Sequence, residues 1–331
     1  MVTLDMIRKP VEGDLEAFEQ FIRQKFTADG TLLSEMLDYA LSARGKGIRP
    51  MTVLLSAALN APAGQRSGGL RALLAATLVE MIHVASLIHD DVIDESDMRR
   101  GRASVNARWQ SRNAVVVGDY ILAKNMDLGL KSGQFDLVTH VCGAIATLCE
   151  GEILQNDKAN RQEMTRASYL DIIYKKTACL IGVSASAGAL AVGASREKQA
   201  LMRKFGESIG MAFQIQDDIL GIYADWKDLG KDVGADVIEF KQTFLYVYVK
   251  KNCPDALEEL SRYYGNANIT DKDVIRVQEI FDETGAHKFA EDKMNFHYNR
   301  AKENLEKVDF LSDEGKSLIL GFILYLEQRK K

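Results

Sequence analysis

Residues 70–95 read LRALLAATLVEMIHVASLIHDDVIDE. An apolar run of that length without Gly or Pro is too long for a strand and reads as a buried helix. It ends in His89, Asp90, Asp91, Val92, Ile93 and Asp94, so carboxylates stand at the mouth of a buried space. On a helix Asp90 and Asp94 lie one turn apart on one face, and Asp91 lies about 100° round from Asp90. Two carboxylates about 4 Å apart repel by about 4 kcal/mol at an effective dielectric near ~20. A solvated helix end tolerates that. One preceded by Val84, Leu87 and Ile88 favours a divalent counter-charge. All-oxygen ligation suits Mg2+, which takes few carboxylates and fills its sphere with waters and phosphates. Arg99, Arg100 and Arg102 follow at once. Guanidinium forks pair phosphate oxygens bidentately. Metal-binding acids beside paired arginines point to a diphosphate site more readily than to a charged surface.

Outward from this stretch the helical period continues. Leu15, Phe18, Phe21 and Ile22 make one face, and Leu33, Met36, Leu37 and Leu41 make the next. GKGIRP at 45–50 interrupts them, with Pro50 suited to the first turn of the helix that follows. Residues 51–60 are apolar almost all round, and 61–69 read as a loop. Helices are expected over 70–95, 113–131, 135–156, 168–193 and 197–224. The 168–193 segment is rich in Ala and Gly, which lets helices approach closely. A polar loop is expected over 226–240, then helices to the C-terminus apart from a loop near 265–270. No strand alternation and no exact repeat stand out.

Only 4 prolines in 331 residues, with 47% hydrophobic residues, fit one large all-α domain spanning 1–331. A net charge of −5 argues against a nucleic-acid partner. The cysteines Cys142, Cys149, Cys179 and Cys253 show no CxxC spacing and read as reduced core residues. The N-terminus has no apolar signal region, and the C-terminal apolar run 318–326 is too short to span a bilayer. A cytoplasmic protein with no stable membrane span is expected.

A second acidic cluster ends another apolar run: Gln214, Ile215, Gln216, Asp217, Asp218, then Gly221. Asp225, Lys231, Asp232, Asp236, Glu239 and Lys241 come downstream. Lys175, Lys176 and Thr177 end a further helical turn. Taken singly, each of these reads as charged surface. Likewise, His83 on its own reads as a hydrogen-bonded core residue.

Taken in order, the segments resemble the trans-prenyl (polyprenyl) diphosphate synthase family, with a likeness to its octaprenyl and other long-chain members. GKGIRP is similar to the family's GGKRxRP segment, and EMIHVASLIHDDVIDESDMRRGR to its first aspartate-rich motif. AVVVGDYILA, YKKTA, GMAFQIQDDILG and LGKDVGADVIEFKQT follow in the family's order and approximate spacing. The likeness covers the chain from about residue 20 onward. It implies an isoprenoid-synthase-type helical bundle around a deep central cavity, usually in a homodimer. It implies condensation of isopentenyl diphosphate with an allylic diphosphate, farnesyl or geranyl. About three Mg2+ per site are implied, two on Asp90, Asp91 and Asp94 and one on Asp217 with Asp218 in support. By the same resemblance Arg99, Lys176, Lys231 and Lys241 contact the allylic diphosphate. Lys46, Arg49, His83 and Arg100 clamp the isopentenyl diphosphate. Thr177 and Gln214 face the reacting carbons, and the basic end around Arg329 closes over the isopentenyl site.

The chain departs from the family pattern at four places. Gly221 replaces the third Asp of the second motif, Ala224 a Gly, Phe240 the Gly before Lys241, and Tyr246 a common Pro. Activity is expected nonetheless, with weakened metal affinity, and restoring Gly221→Asp is expected to strengthen Mg2+ dependence. For product length, five residues span about 7.5 Å of helix. At that depth below Asp90 stand Ala85 and Ser86, with Ile82 and Met81 about a turn deeper. Small residues there leave a passage for a product longer than fifteen carbons, octaprenyl-like, with geranylgeranyl as the shorter outcome. They equally suit close helix packing. Two other functions share parts of the pattern. A class I terpene cyclase has the first acidic motif but an NSE/DTE-like second one, whereas QIQDD with YKKT and GKGIR favours elongation. A non-catalytic regulatory subunit of a prenyl synthase accounts for Gly221, but not for intact Asp90, Asp91, Asp94, Arg99 and Arg100.

Overall fold

In the computed structural model the chain is described over residues 3–42, 45–62, 69–223, 234–309 and 313–328. Ala224, Asp225, Lys231, Asp232 and Arg329 lie outside the described residues. The order is α1 (Leu4–Arg8), α2 (Glu12–Lys25), α3 (Thr31–Ser42), α4 (Ile48–Asn60), α5 (Gly69–Ile93), β1 (Met98–Arg99), β2 (Arg102–Ala103), α6 (Val105–Lys131), α7 (Phe135–Asn160) and α8 (Arg166–Ile173). A π-helical turn, Tyr174–Ala178, leads into α9 (Cys179–Ala191) and α10 (Arg196–Tyr223). Then come α11 (Ala235–Ile238), α12 (Phe244–Asn252), α13 (Pro254–Leu260), α14 (Asp271–Glu283), α15 (Ala286–Glu306) and α16 (Asp313–Glu327). Ser104, Thr165, Thr243 and Thr270 start α6, α8, α12 and α14 by accepting a hydrogen bond from a backbone N–H of the first turn. The all-α expectation holds, and the apolar run at 70–95 is one helix.

Three local expectations change. The Arg-rich stretch after α5 is a two-stranded antiparallel hairpin, with Met98 opposite Ala103 and Arg99 opposite Arg102. Its turn residues Arg100 and Gly101 have φ of 53° and 73°, the positive pair of a type I′ turn. Two-residue strands are too short to show alternation in sequence. Helix α6 starts at Val105 rather than near 113, with a kink where Gln110 takes φ 71°. The expected helix 168–193 is divided by the π turn, which lets α10 come close: a Cβ on Gly210 would lie 2.4 Å from Ala178 Cα.

The chain forms two compact units. The first comprises Met1–Ala146, Leu180–Gly206 and Asn304–Phe322. In it α6 lies tight on α5. A Cβ on Gly118 would stand 2.3 Å from the His89 ring, and one on Gly129 would meet Leu78 at 3.2 Å. Asn125 donates from Nδ2 to the Leu78 carbonyl at 2.9 Å. The Ala/Gly-rich α9 approaches α4 so closely that a Cβ on Gly188 would sit 2.1 Å from the Val53 carbonyl oxygen. The second unit comprises Thr147–Cys179, Glu207–Glu303 and Ile323–Lys331. Its core gathers Tyr169, Ile173, Ile215, Phe244 and Phe281 from α8, α10, α12 and α14.

Candidate active site

In the first unit α5, α4 and the hairpin build a cationic cavity of about 1040 Å³, with Lys46, Glu80, His83 and Arg100 on its wall. Gly47, at φ 62°, turns the chain into α4 and sets Arg49 in its first turn. Arg49 donates from Nη1 to His83 Nε2 at 3.0 Å. A guanidinium only donates, so that imidazole nitrogen accepts and the His83 proton sits on Nδ1. Burial, then Arg49, Arg100 and Arg99, hold the His83 pKa well below its usual range, which keeps the ring neutral. The Arg49 Nε is buried without a hydrogen-bond partner, a donor awaiting an oxygen. Arg100 lies across Gly45, where a Cβ would fall 2.6 Å from its guanidinium carbon. This explains why the segment before α4 needs glycine there.

The first acidic cluster divides in two. Asp91 is 3% exposed. Its Oδ1 accepts from Arg99 Nε at 2.7 Å and from Arg99 Nη2. The middle carboxylate thus anchors the hairpin and is occupied by the arginine expected on the diphosphate. Asp90 and Asp94 remain one helical turn apart, with the Asp94 N–H donating to the Asp90 carbonyl at 2.8 Å. Asp94 is exposed and Asp90 half-buried.

In the second unit the π turn presents the lysines and Thr177. Lys176 Nζ pairs with Glu152 Oε2 at 2.5 Å and donates to Gln155 Oε1 at 3.1 Å. Thr177 Oγ1 donates to Gln214 Oε1 at 2.9 Å. Asp218 points inward. Its Oδ2 accepts from Tyr169 Oη at 2.5 Å and from the Phe244 N–H at 2.8 Å, while Gln214 Nε2 reaches Oδ1 at 3.5 Å. Burial raises the Asp218 carboxyl to about 7 against the pull of those hydrogen bonds. Asp217, one position before it, is half-buried. Gly221 stands beside Asp236: a Cβ there would lie 2.1 Å from Asp236 Oδ2. Lys241 Nζ pairs with Asp236 at 3.0 Å and Glu239 at 2.6 Å. Burial works to lower the Lys241 pKa, and these carboxylates more than offset it.

Among the described residues no three carboxylate, imidazole or thiol groups converge as a closed metal cage. What Asp90 and Asp94 offer is oxygen only, at a helix end. That donor set fits Mg2+, which is held by one or two carboxylates and completes its sphere with water and substrate phosphate.

Comparison with known proteins follows the same segments. The family model described as Polyprenyl synthetase matches residues 30–283. The chain belongs to the polyprenyl synthetase family. This synthetase is 33% identical over 335 residues to the short chain isoprenyl diphosphate synthase of Methanothermobacter thermautotrophicus, covering 99% of each chain. It is 32% identical over 311 residues to the octaprenyl diphosphate synthase of Haemophilus influenzae, covering 93% of this chain and 90% of that one. The crystal structure of a polyprenyl synthase from Caulobacter crescentus, complexed with calcium and isoprenyl diphosphate, superposes with a TM-score of 0.87. That pair shares 27% identity over 99% of this chain and 98% of the other.

Of the residues singled out in sequence, Lys46, His83 and Arg100 share one cavity, and Arg49 is hydrogen-bonded to His83. Thr177, Gln214 and Asp218 form one hydrogen-bonded chain. Ala85, Ser86 and Ile82 do not line the cavity of the first unit, whose α5 wall is Glu80, Met81, His83, Val84, Leu87, Ile88 and Asp91. Ala85 is fully buried and sits one turn from His89, on the side of α5 that meets α6. Sequence reasoning missed Glu80, although a carboxylate inside an apolar run was a visible signal. It also missed Tyr169, whose link to Asp218 spans 49 positions and leaves no trace in local spacing.

Proposed function

We propose that this synthetase condenses isopentenyl diphosphate with an allylic diphosphate, farnesyl or geranyl, to give a longer all-trans polyprenyl diphosphate. The observation that carries the reading is the unpartnered, buried Arg49 Nε beside a neutral His83 that shares a cavity with Lys46 and Arg100. Buried donors of this kind match the oxygens of a diphosphate. One functional domain is inferred from a family match that runs through both units.

The reaction breaks an allylic C–O bond, so negative charge grows on a diphosphate and positive charge on carbon. Arg49 and Arg100, with Lys46, orient the isopentenyl diphosphate. Lys176, Lys231 and Lys241 with Arg99 are assigned to the allylic diphosphate, where fixed cations favour its departure. Asp90, Asp94 and Asp217 would hold Mg2+, with Asp91 and Asp218 bracing them from within. Bound there, the cations supply charge neutralisation to the leaving diphosphate. Thr177 donates its hydroxyl hydrogen bond to Gln214 Oε1, so its own lone pairs are left to face a cationic carbon. The double bond of isopentenyl diphosphate then attacks that carbon, and the departed diphosphate takes the proton.

A product longer than fifteen carbons, octaprenyl-like, stays the reading for length, with Ala85, Ser86 and Ile82 as the residues to vary. The quaternary reading is a homodimer. Val116, Leu130 and Phe135 are 61%, 53% and 62% exposed along α6 and the start of α7. Both α5 and α7 are long and apolar enough to cross a membrane, yet α5 is a core helix with 61% of that window buried. For α7, with 28% buried, a second copy is the inferred cover. A cytoplasmic location goes with that reading.

The test is direct. The pure protein is incubated with farnesyl diphosphate, labelled isopentenyl diphosphate and Mg2+, and the products are sized. Label in chains beyond fifteen carbons is expected. No incorporation rejects the reading. A cyclic hydrocarbon from the allylic substrate alone indicates a cyclase, and incorporation only with a second protein indicates a regulatory subunit.

A further inference from the structure

Glu80 is a carboxylate where a diphosphate site has least use for one. It lies on α5 three residues before His83, within one turn, and lines the same cavity as Lys46, His83 and Arg100, with Arg49 hydrogen-bonded to that His83 at 3.0 Å. A fixed negative charge there opposes the ligand those cations attract. Its presence calls for a role that changes when the ligand arrives.

We propose that Glu80 is the proton-linked counter-charge of the isopentenyl diphosphate site: ionised, it balances Arg49 and Arg100 while the cavity is empty, and it takes up one proton from solvent when a diphosphate claims those guanidiniums. This rests on the assignment of the cavity to isopentenyl diphosphate. The bond that forms is O–H on a Glu80 carboxyl oxygen; no other bond changes.

Both consequences of binding push the same way. The guanidiniums turn part of their field to the ligand, and the ligand adds repulsion. Two like charges about 6 Å apart at an effective dielectric near ~20 repel by about 3 kcal/mol, or about two pKa units. In the empty cavity the carboxyl already stands at about 7, because burial opposes its charge more than Arg49 and Arg100 favour it. It is therefore poised where a modest change of field decides its state. The other charged groups on the cavity wall are Lys46 before α4, Asp91 on α5, Arg99 and Arg102 on the hairpin, Arg8 on α1, Glu19 and Arg23 on α2, and Asp38 on α3. Of all these neighbours Arg49 and Arg100 act on Glu80 most strongly. His83 is neutral and contributes no charge.

The sign for stability follows. Between 4.5 and about 7 the folded chain keeps the Glu80 proton while the unfolded chain has released it, so Glu80 costs stability as pH rises through that window. Relative to wild type, Glu80→Gln therefore gains in Tm between pH ~5 and ~8 without ligand.

The experiment is calorimetric titration of the full chain with isopentenyl diphosphate, no allylic substrate present, in buffers of different ionisation enthalpy. Proton exchange by the ligand itself is common to wild type and Glu80→Gln, so their difference isolates Glu80. Wild type is expected to take up about 0.7 proton more than the variant at pH ~7.5 and about 0.1 more at pH ~6. Glu80→Asp is expected to keep the uptake. The wild type alone provides a second measure: its Kd for isopentenyl diphosphate should rise about five- to tenfold between pH ~7.5 and ~8.5. Equal proton uptake in wild type and Gln variant, or a flat wild-type Kd, overturns the proposal. Absence of any isopentenyl diphosphate binding by wild type overturns the cavity assignment and the proposal with it, whereas binding without the proton difference overturns the proposal alone.

Discussion

Gly221 leaves a gap one turn after Asp217, and Asp236 reaches into it. Lys241 holds that carboxylate at 3.0 Å, so the third acid of the second cluster comes from a different segment. From spacing alone, Gly221→Asp strengthens Mg2+ dependence; the geometry reverses that. Two carboxylates in one space repel by about 4 kcal/mol at about 4 Å and a dielectric near ~20. Gly221→Asp alone is expected to lower Tm and leave the Mg2+ response no stronger. Gly221→Asp combined with Asp236→Ala, which relocates one carboxylate, is expected to recover the wild-type response. The readout is Tm against Mg2+ with inorganic diphosphate present. A tighter Mg2+ response in the single variant would refute Asp236 as the stand-in.

Among the elements, the hairpin and the turn into α12 carry the positions that spacing could not resolve. The type I′ turn sets Arg99 inward on Asp91 and swings Arg100 across Gly45, so adjacent arginines take different partners. Phe240 adopts φ 52°, the left-handed region that explains why glycine suits this position. Its ring packs edge-on against Tyr246 at 5.8 Å and Tyr264 at 5.9 Å. Two departures from the family pattern, Phe240 and Tyr246, are thus in contact. A double-mutant cycle with Phe240→Ala and Tyr246→Ala is expected to show a coupling of about 0.5–1.5 kcal/mol by chemical denaturation. Strict additivity would mean that the rings merely coexist.

For the whole molecule, the uncovered apolar faces of α6 and α7 predict association. Wild type should elute at twice 36.8 kDa by light scattering. Val116→Lys with Phe135→Lys should shift it toward monomer with little loss of helicity. A wild type that is monomeric at high micromolar concentration contradicts the homodimer. The division between sequence and structure follows from range. Residues 70–95 determined their own helix and the Asp90–Asp94 pair, because period and i, i+4 spacing are local. Motif order determined the family. Only tertiary structure decided that Asp91 binds Arg99, that Asp218 faces Tyr169, that Asp236 fills the place of residue 221, and that Glu80 shares a cavity with Lys46 and Arg100. Each of these depends on which groups lose water together and which charges share a low-dielectric space. That is a property of packed neighbours far apart in the chain, which local spacing does not encode.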